Sequence, residues 1–165
     1  MIIYILYNII MNTIIYWEDN GVSEVRELIQ EIALQGIAGD EDAQHLAKFI
    51  GQGLNLLSDT VIPVNKRLQA VFEENNGNPR TFQLLKPLNK VPLLEFRVNR
   101  SEPGAFRAIF FQYEYEGERL IVFTRALLKK GDSNPPELQL KINESYNVYL
   151  DFCRDPKKYL DEYLS

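Results

Sequence analysis

The chain has 165 residues, of which 45% are hydrophobic and 25% charged, and its formal net charge is −5. This composition predicts one globular domain and argues against intrinsic disorder and against a uniformly basic nucleic-acid binder. The single cysteine, Cys153, excludes an intrachain disulfide and a cysteine-based zinc cluster, so we expect a reducing compartment and a cytoplasmic protein.

The N-terminal segment, residues 1–17, carries no charged side chain. A signal peptide needs a basic start and a small-residue cleavage site, and a membrane-spanning helix needs about 20 predominantly apolar residues. Asn8 and Asn12 interrupt the run, so we expect no membrane segment. Residues 1–12 are a candidate upstream extension, within which Met11 is a second candidate start, and residues 13–17 are the predicted first β-strand.

Helical apolar spacing follows this strand. It begins at Ser23, a candidate N-cap, and ends at Gly36. A second helix is predicted over 40–57, with an aspartate cap at its start, and a third over 60–74. Residues 37–76 are therefore expected to form an enlarged helical insertion.

Four β-strands are predicted next, separated by turn-forming residues, at roughly 81–86, 92–98, 105–114 and 119–127. The last two connections have the length of antiparallel hairpins. After a proline-containing loop, a final helix is predicted from Glu137. This order predicts an α+β fold with an antiparallel sheet of four to five strands, N-terminal helices packed on one face, and a C-terminal helix.

Charge is distributed unevenly along the chain. Residues 80–130 hold ten basic and five acidic side chains, although the whole chain is acidic. The predicted strands of this segment carry arginines inside apolar runs. Buried cations are costly without a partner, and the phosphate of a ligand could be that partner.

Several short motifs of the chain occur in an order that resembles a known family. They are YWED at 16–19, LKPL at 85–88, LEFRV at 94–98, FRAIF at 106–110, LKK at 128–130 and PPEL at 135–138. They resemble bacterial toxins of the RelE/ParE superfamily, most closely the HigB-like and phage-derived branch. The resemblance covers residues 13–19 and 84–142, and it implies a single RelE/HigB-like domain over 1–165.

The resemblance implies the toxin of a type II toxin–antitoxin system, an endoribonuclease that cuts messenger RNA on the ribosome. The implied partners are a helix-turn-helix antitoxin and mRNA on the ribosome, and the oligomeric state stays open. RNA cleaves itself when its 2′-hydroxyl attacks the adjacent phosphorus, so we expect no metal and no cofactor.

The implied catalytic residues, from the family motif, are Arg97, Arg107, Lys129 and Lys130. Arginines on rigid strands suit a developing phosphorane charge, and a lysine among other cations could accept a proton. Further RNA contacts are expected from Arg125, Lys86 and Arg100.

Departures from the family pattern leave alternatives open. Some RelE-type toxins carry a tyrosine just after the basic loop, where this chain has Asn134 and two prolines. The only histidine, His45, lies outside the motif block.

The basic side chains also have a simpler interpretation as cross-strand ion pairs, such as Arg97 with Glu95. The alternative is a non-catalytic RelE-fold protein-binding module of phage or mobile-element origin, and a gyrase-directed toxin of the ParE type is a third hypothesis.

Overall fold

The computed structural model describes residues 12–131 and 135–164 and has an α+β architecture. Its elements in chain order are β1 (Asn12–Tyr16), α1 (Glu24–Ile37), α2 (Glu41–Asp59), β2 (Leu68–Glu73), β3 (Pro79–Pro87), β4 (Leu94–Val98), β5 (Ala105–Tyr115), β6 (Glu118–Lys129), α3 (Pro136–Arg154) and α4 (Pro156–Leu164). Most of the predicted upstream extension, residues 1–11, lies outside the described residues. Asn12 opens β1, and its buried side-chain amide donates to the carbonyls of Leu57 and Thr60.

The strands form one six-stranded sheet in the order β1-β6-β5-β4-β3-β2. The prediction of four to five antiparallel strands is therefore wrong. β1 pairs with β6 in parallel, whereas the other neighbours are antiparallel, so the sheet is mixed. A parallel pair needs a long crossover, and the chain between β1 and β6 supplies one.

The third predicted helix, over 60–74, is also wrong, because residues 68–73 form the edge strand β2. The apolar residues chosen at helical spacing included Val61, Val64 and Val71, and all three are exposed. Alternation explains the segment better: Ala70 and Phe72 pack on the core, and Val71 between them is exposed.

The caps predicted for the first two helices are confirmed. The Ser23 hydroxyl accepts from the backbone N–H of Arg26 at 3.2 Å, and the Asp40 carboxylate accepts from that of Ala43 at 3.0 Å. None of the helices in the described ranges has both the length and the apolar character needed to cross a membrane.

Helices cover both faces of the sheet. One core joins α1 and α2 to the first face, with Phe49, Phe96 and Phe123 among its fully buried side chains. A second core joins α3 and α4 to the opposite face, with Phe111 and Phe152 at its centre. The predicted C-terminal helix is thus followed by a second one, and it packs on the face that α1 and α2 leave free.

The second face is only partly covered. α3 packs along β6 and β5. On the β2 and β3 side, the residues of the sheet include the exposed Gln69, Val71 and Thr81. The boundary between the covered and the open part runs close to β4, and Arg97 of β4 and Arg107 of β5 lie beside it.

Two glycines of α2 provide a matched pair of stability tests. A Cβ atom at Gly53 would lie 2.7 Å from Cζ of Phe96, whereas one at Gly51 would meet no heavy atom within 4 Å. We expect Gly53→Ala to lower the free energy of unfolding by about 1–3 kcal/mol, because the core must move. Gly51→Ala should raise it by about 0.5–1 kcal/mol through helix propensity. Urea denaturation measures both, and a stabilised Gly53→Ala protein would contradict the packing of α2 on β4.

Candidate functional site

A cleft of about 440 Å³ lies on the second face of the sheet, between β4, β5 and the first turn of α3. Its volume is within the range of small-ligand sites. Five cationic side chains and one carboxylate line it: Lys86, Lys90, Arg97, Arg107, Lys129 and Glu95. The cleft is therefore strongly positive in a protein whose net charge is negative.

The centre of the cleft is a pair of arginines on neighbouring strands. Arg97 of β4 and Arg107 of β5 are directly opposite each other in the antiparallel register. Glu95 precedes Arg97 by two residues, so both side chains point to the same face. One carboxylate oxygen, Oε1 of Glu95, lies 3.1 Å from Nε of Arg97 and 3.4 Å from Nε of Arg107.

The positive charge of this arrangement is only partly neutralised. Like charges directly opposite on a sheet repel, and Glu95 compensates only one of the two guanidiniums. Both Glu95 and Arg107 are buried, with 3% and 5% of their surface exposed. Burial lowers the pKa of Arg107 to about 10; the Arg97 charge adds to the effect and Glu95 opposes it. Arg107 thus stays cationic at neutral pH, and a second anion in the cleft would stabilise that charge.

The lysines surround this centre. Lys86 is the cross-strand neighbour of Glu95, and Lys129 is the last residue of β6. Lys90 lies over the ring of Tyr146, 4.9 Å from its centroid, at the α3 side of the cleft. Among the described residues, neither Lys86 nor Lys129 has a carboxylate within ion-pair distance. Their ammonium groups can therefore bind an anion that enters the cleft.

The position of α3 over the cleft is fixed from the other side of the molecule by Glu24, the first residue of α1. β1 ends at Tyr16, which pairs with Phe123 of β6. In the described part of the chain, the edge of β6 after Phe123 therefore has no neighbouring strand. The Glu24 carboxylate accepts from the backbone N–H of Ala126 at 2.9 Å and from the Lys141 ammonium at 2.6 Å. One side chain thus satisfies the free strand edge and ties α1 to α3.

Arg125 provides a second attachment of α3. Its Nε donates to Glu144 at 2.9 Å, and its guanidinium pairs with Asp19 at 3.0 Å. Next to it, the buried hydroxyls of Thr124 and Ser145 are 2.7 Å apart. These contacts place Arg125 under α3 and outside the cleft, where its neighbours account for its charge.

The structure brings together four of the seven side chains predicted for the site: Arg97, Arg107, Lys129 and Lys86. Lys130 is exposed beyond the end of β6 and does not line the cleft. Arg100 lines a neighbouring depression that also includes Arg107 and Lys129. The catalytic and RNA-binding roles of all seven stay predictions.

Two charged residues of the cleft, Lys90 and Glu95, were not predicted as site residues, and the sequence suggested Glu95 only as an ion-pair partner of Arg97. Glu95 is the more informative of the two. It lies inside the LEFRV motif, two positions before Arg97, and that spacing was the available signal because alternate residues of a strand share a face. What the spacing does not reveal is that Arg107 shares the same carboxylate.

Comparisons with known proteins add no relative: no protein-family model, no curated protein and no solved structure matches this chain. The geometry of the cleft and the motif resemblance are therefore the grounds on which a function is proposed.

Glu95→Ala tests the incomplete neutralisation of the arginine pair. Removing one partner of a buried ion pair costs about 3–5 kcal/mol, so we expect a loss of that size in the free energy of unfolding. Inorganic phosphate should restore part of it by binding between the guanidiniums, because a ligand of the native state stabilises that state. The measurement is the thermal midpoint in phosphate and in chloride at equal ionic strength.

Glu31→Ala is the control for this test, because Glu31 is exposed on α1 and the substitution removes the same charge. Phosphate should stabilise this variant no more than the wild type. A phosphate response of the Glu95 variant no larger than that of the Glu31 variant would contradict the view that Glu95 and phosphate neutralise the same guanidiniums.

Proposed function

We propose that this protein is a RelE/ParE-type toxin of a type II toxin–antitoxin system and acts as a metal-independent endoribonuclease on messenger RNA at the ribosome. The observation that supports the proposal most directly is the cationic cleft. Three of the four residues selected from the family motif, Arg97, Arg107 and Lys129, line it. The arginine pair lacks one negative charge, and a phosphodiester would supply it in a group small enough for the cleft.

The chemistry follows from where charge develops. The 2′-oxygen of RNA attacks the adjacent phosphorus, a phosphorane forms, and the 5′-oxygen leaves. Negative charge on the phosphorane oxygens rises during this step. Guanidiniums held on neighbouring strands by Glu95 are aimed before the reaction begins, so little reorganisation energy is lost. Arg97 and Arg107 are assigned this role.

Proton transfer falls to the other cleft residues. The 2′-hydroxyl must lose a proton and the leaving 5′-oxygen must gain one. Lys86, Lys90 and Lys129 line the cleft and are the ammonium candidates for the donor, and Glu95 is the carboxylate candidate for the acceptor. The pH dependence of cleavage by variants at these positions would assign the two roles.

The net negative charge of the rest of the chain is compatible with a toxin that a partner protein binds. Residues 80–130 attract a polyanion, while the remainder of the chain is acidic. The proposed partner is a helix-turn-helix antitoxin, encoded by an adjacent gene, that covers the cleft. The proposed location is the cytoplasm, where ribosomes and mRNA are present.

A second candidate is a non-catalytic protein-binding module, and the ion pairs favour it. Arg125 has two carboxylate partners and Arg100 lies near two, so part of the predicted basic surface is already neutralised. Arg97 and Arg107 differ because they share one carboxylate between them. Activity on RNA separates the two candidates.

Arg107→Ala tests the proposed nuclease. Expression of the wild-type protein in a bacterial host should arrest growth and fragment mRNA, and Arg107→Ala should abolish both. One guanidinium that stabilises transition-state charge is worth on the order of 10²–10³ in rate. The measurement is growth after induction together with mapping of mRNA 5′-ends.

Arg119→Ala is the matched control, because Arg119 is exposed in the β5–β6 hairpin and the same charge is removed. This variant should stay toxic. Two results would refute the nuclease and favour the binding module. In one, the Arg107→Ala protein still arrests growth; in the other, expression of the wild-type protein produces no mRNA fragments.

A further inference from the structure

The strand β2 lies at one edge of the sheet, and its outer side has no neighbouring strand. It is the last strand in the sheet order, and among the described residues no backbone hydrogen bond reaches that side. Proteins commonly protect such an edge with charged side chains or proline, because an open edge pairs with other strands. Residues 68–72 of β2 contain neither, and Val71 among them is 62% exposed. The centre of this edge is therefore open to a further strand.

The direction of the backbone groups shows which residues can bond such a strand. The backbone N–H of Glu74 donates across the β2–β3 turn at 2.8 Å, so the backbone of Glu74 faces β3. Successive residues of an antiparallel strand alternate in this direction, so the backbone groups of Gln69, Val71 and Glu73 face away from the sheet. The Lys48 ammonium accordingly reaches the outward carbonyl of Glu73, at 2.9 Å. The outward groups of Gln69 and Val71 remain for a new partner.

Two charges of opposite sign flank the uncharged centre of the edge. Arg67 precedes β2 and Glu73 ends it, and both side chains are exposed. Neither has an ion-pair partner among the described residues. They lie at equal distances in sequence from Ala70, three residues before it and three after it. A second copy of β2, laid antiparallel about Ala70, would therefore place Arg67 of each copy opposite Glu73 of the other.

The same register satisfies the backbone and the core face. Gln69 of each copy lies opposite Val71 of the other, so their outward N–H and C=O groups bond each other. Leu68 lies opposite Phe72 in the same way. Both side chains are half-buried and pack on the first core, so pairing buries more of their apolar surface.

Charge distinguishes this register from its neighbour. Pairing about Val71 instead of Ala70 would keep outward backbone groups opposite each other. It would, however, place Arg67 opposite Asn75 and Glu73 opposite Gln69, so both ion pairs would be lost. The edge is self-complementary only about Ala70.

We propose that β2 is a homodimer interface, at which two copies of this chain pair antiparallel about Ala70 and join their sheets into one. The occupant is a second copy because each unpaired charge of the edge meets its opposite in the same edge of another molecule. Antiparallel neighbours are related by a two-fold axis perpendicular to the sheet, so the cationic clefts of both copies open on the same face. This interface does not depend on the proposed nuclease.

Sedimentation equilibrium of the full chain over a dilution series tests the interface. The wild type should show a monomer–dimer equilibrium with a dissociation constant in the micromolar range, because a single strand pair is smaller than a standard interface. Arg67→Glu should raise that constant about tenfold, because two opposite-charge pairs become like-charge pairs. Glu73→Arg should do the same. The double variant Arg67→Glu/Glu73→Arg should restore the wild-type constant, because opposite charges again face each other.

Val71→Lys tests the centre of the edge. It places two ammonium groups near the two-fold axis, so the dissociation constant should rise by a similar factor. Val91→Lys is the matched control, because Val91 is 61% exposed and lies in the β3–β4 connection, away from this edge. This control should dimerise as the wild type does.

Three results would overturn the homodimer. The wild type stays monomeric at every concentration, whether or not β2 binds a different polypeptide. The single charge reversals leave the dissociation constant unchanged. The double variant dimerises as weakly as the single variants, which would assign their effect to net charge and not to pairing about Ala70.

Discussion

The carboxylate of Glu95 is the interaction on which the site depends. It lies between two guanidiniums that the antiparallel register places directly opposite each other, and all three side chains are on one face of the sheet. Without it, Arg97 and Arg107 would repel and turn away. With it, one positive charge in excess is held in a buried position. The sheet thus presents a preformed anion site, and the cost of ordering the arginines is met during folding.

The two helical layers determine where this site is accessible. α1 and α2 cover the first face and build the larger core. On the second face α3 packs on β6 and β5, and the cleft lies between α3 and β4. The Glu24–Lys141 and Arg125–Glu144 contacts hold α3 in that position. The same contacts keep one wall of the cleft in place and remove Arg125 from the surface available to a ligand.

The elements that local chemistry determines were predictable from the sequence. Caps at Ser23 and Asp40 and the 3.6-residue period gave α1 and α2, and apolar runs with turns between them gave β3 to β6. β2 was missed because its apolar residues fit a helical spacing that included exposed valines. The parallel addition of β1 to β6 joins residues about a hundred positions apart, and no local pattern encodes that pairing.

The site was predictable to the extent that strand alternation and motif spacing describe it. Arg125 and Lys129 alternate onto the same face of β6, and the sequence treats them alike. The structure separates them because α3 covers Arg125 and leaves Lys129 at the cleft. Likewise, Lys129 and Lys130 are equivalent in the motif, but β6 ends between them. The sequence does not reveal where a helix packs or a strand ends with the accuracy needed to assign single side chains.

The central claim, that Arg97 and Arg107 form an anion site, is tested most directly by NMR of the arginine side chains. The Nε–H resonances of the protein would be followed while dimethyl phosphate, the smallest phosphodiester, is added. The account predicts that the resonances of Arg97 and Arg107 shift together in a saturable way, while those of exposed arginines such as Arg119 and Arg154 shift little. Uniform small shifts across all the arginines, without saturation at Arg97 and Arg107, would contradict it.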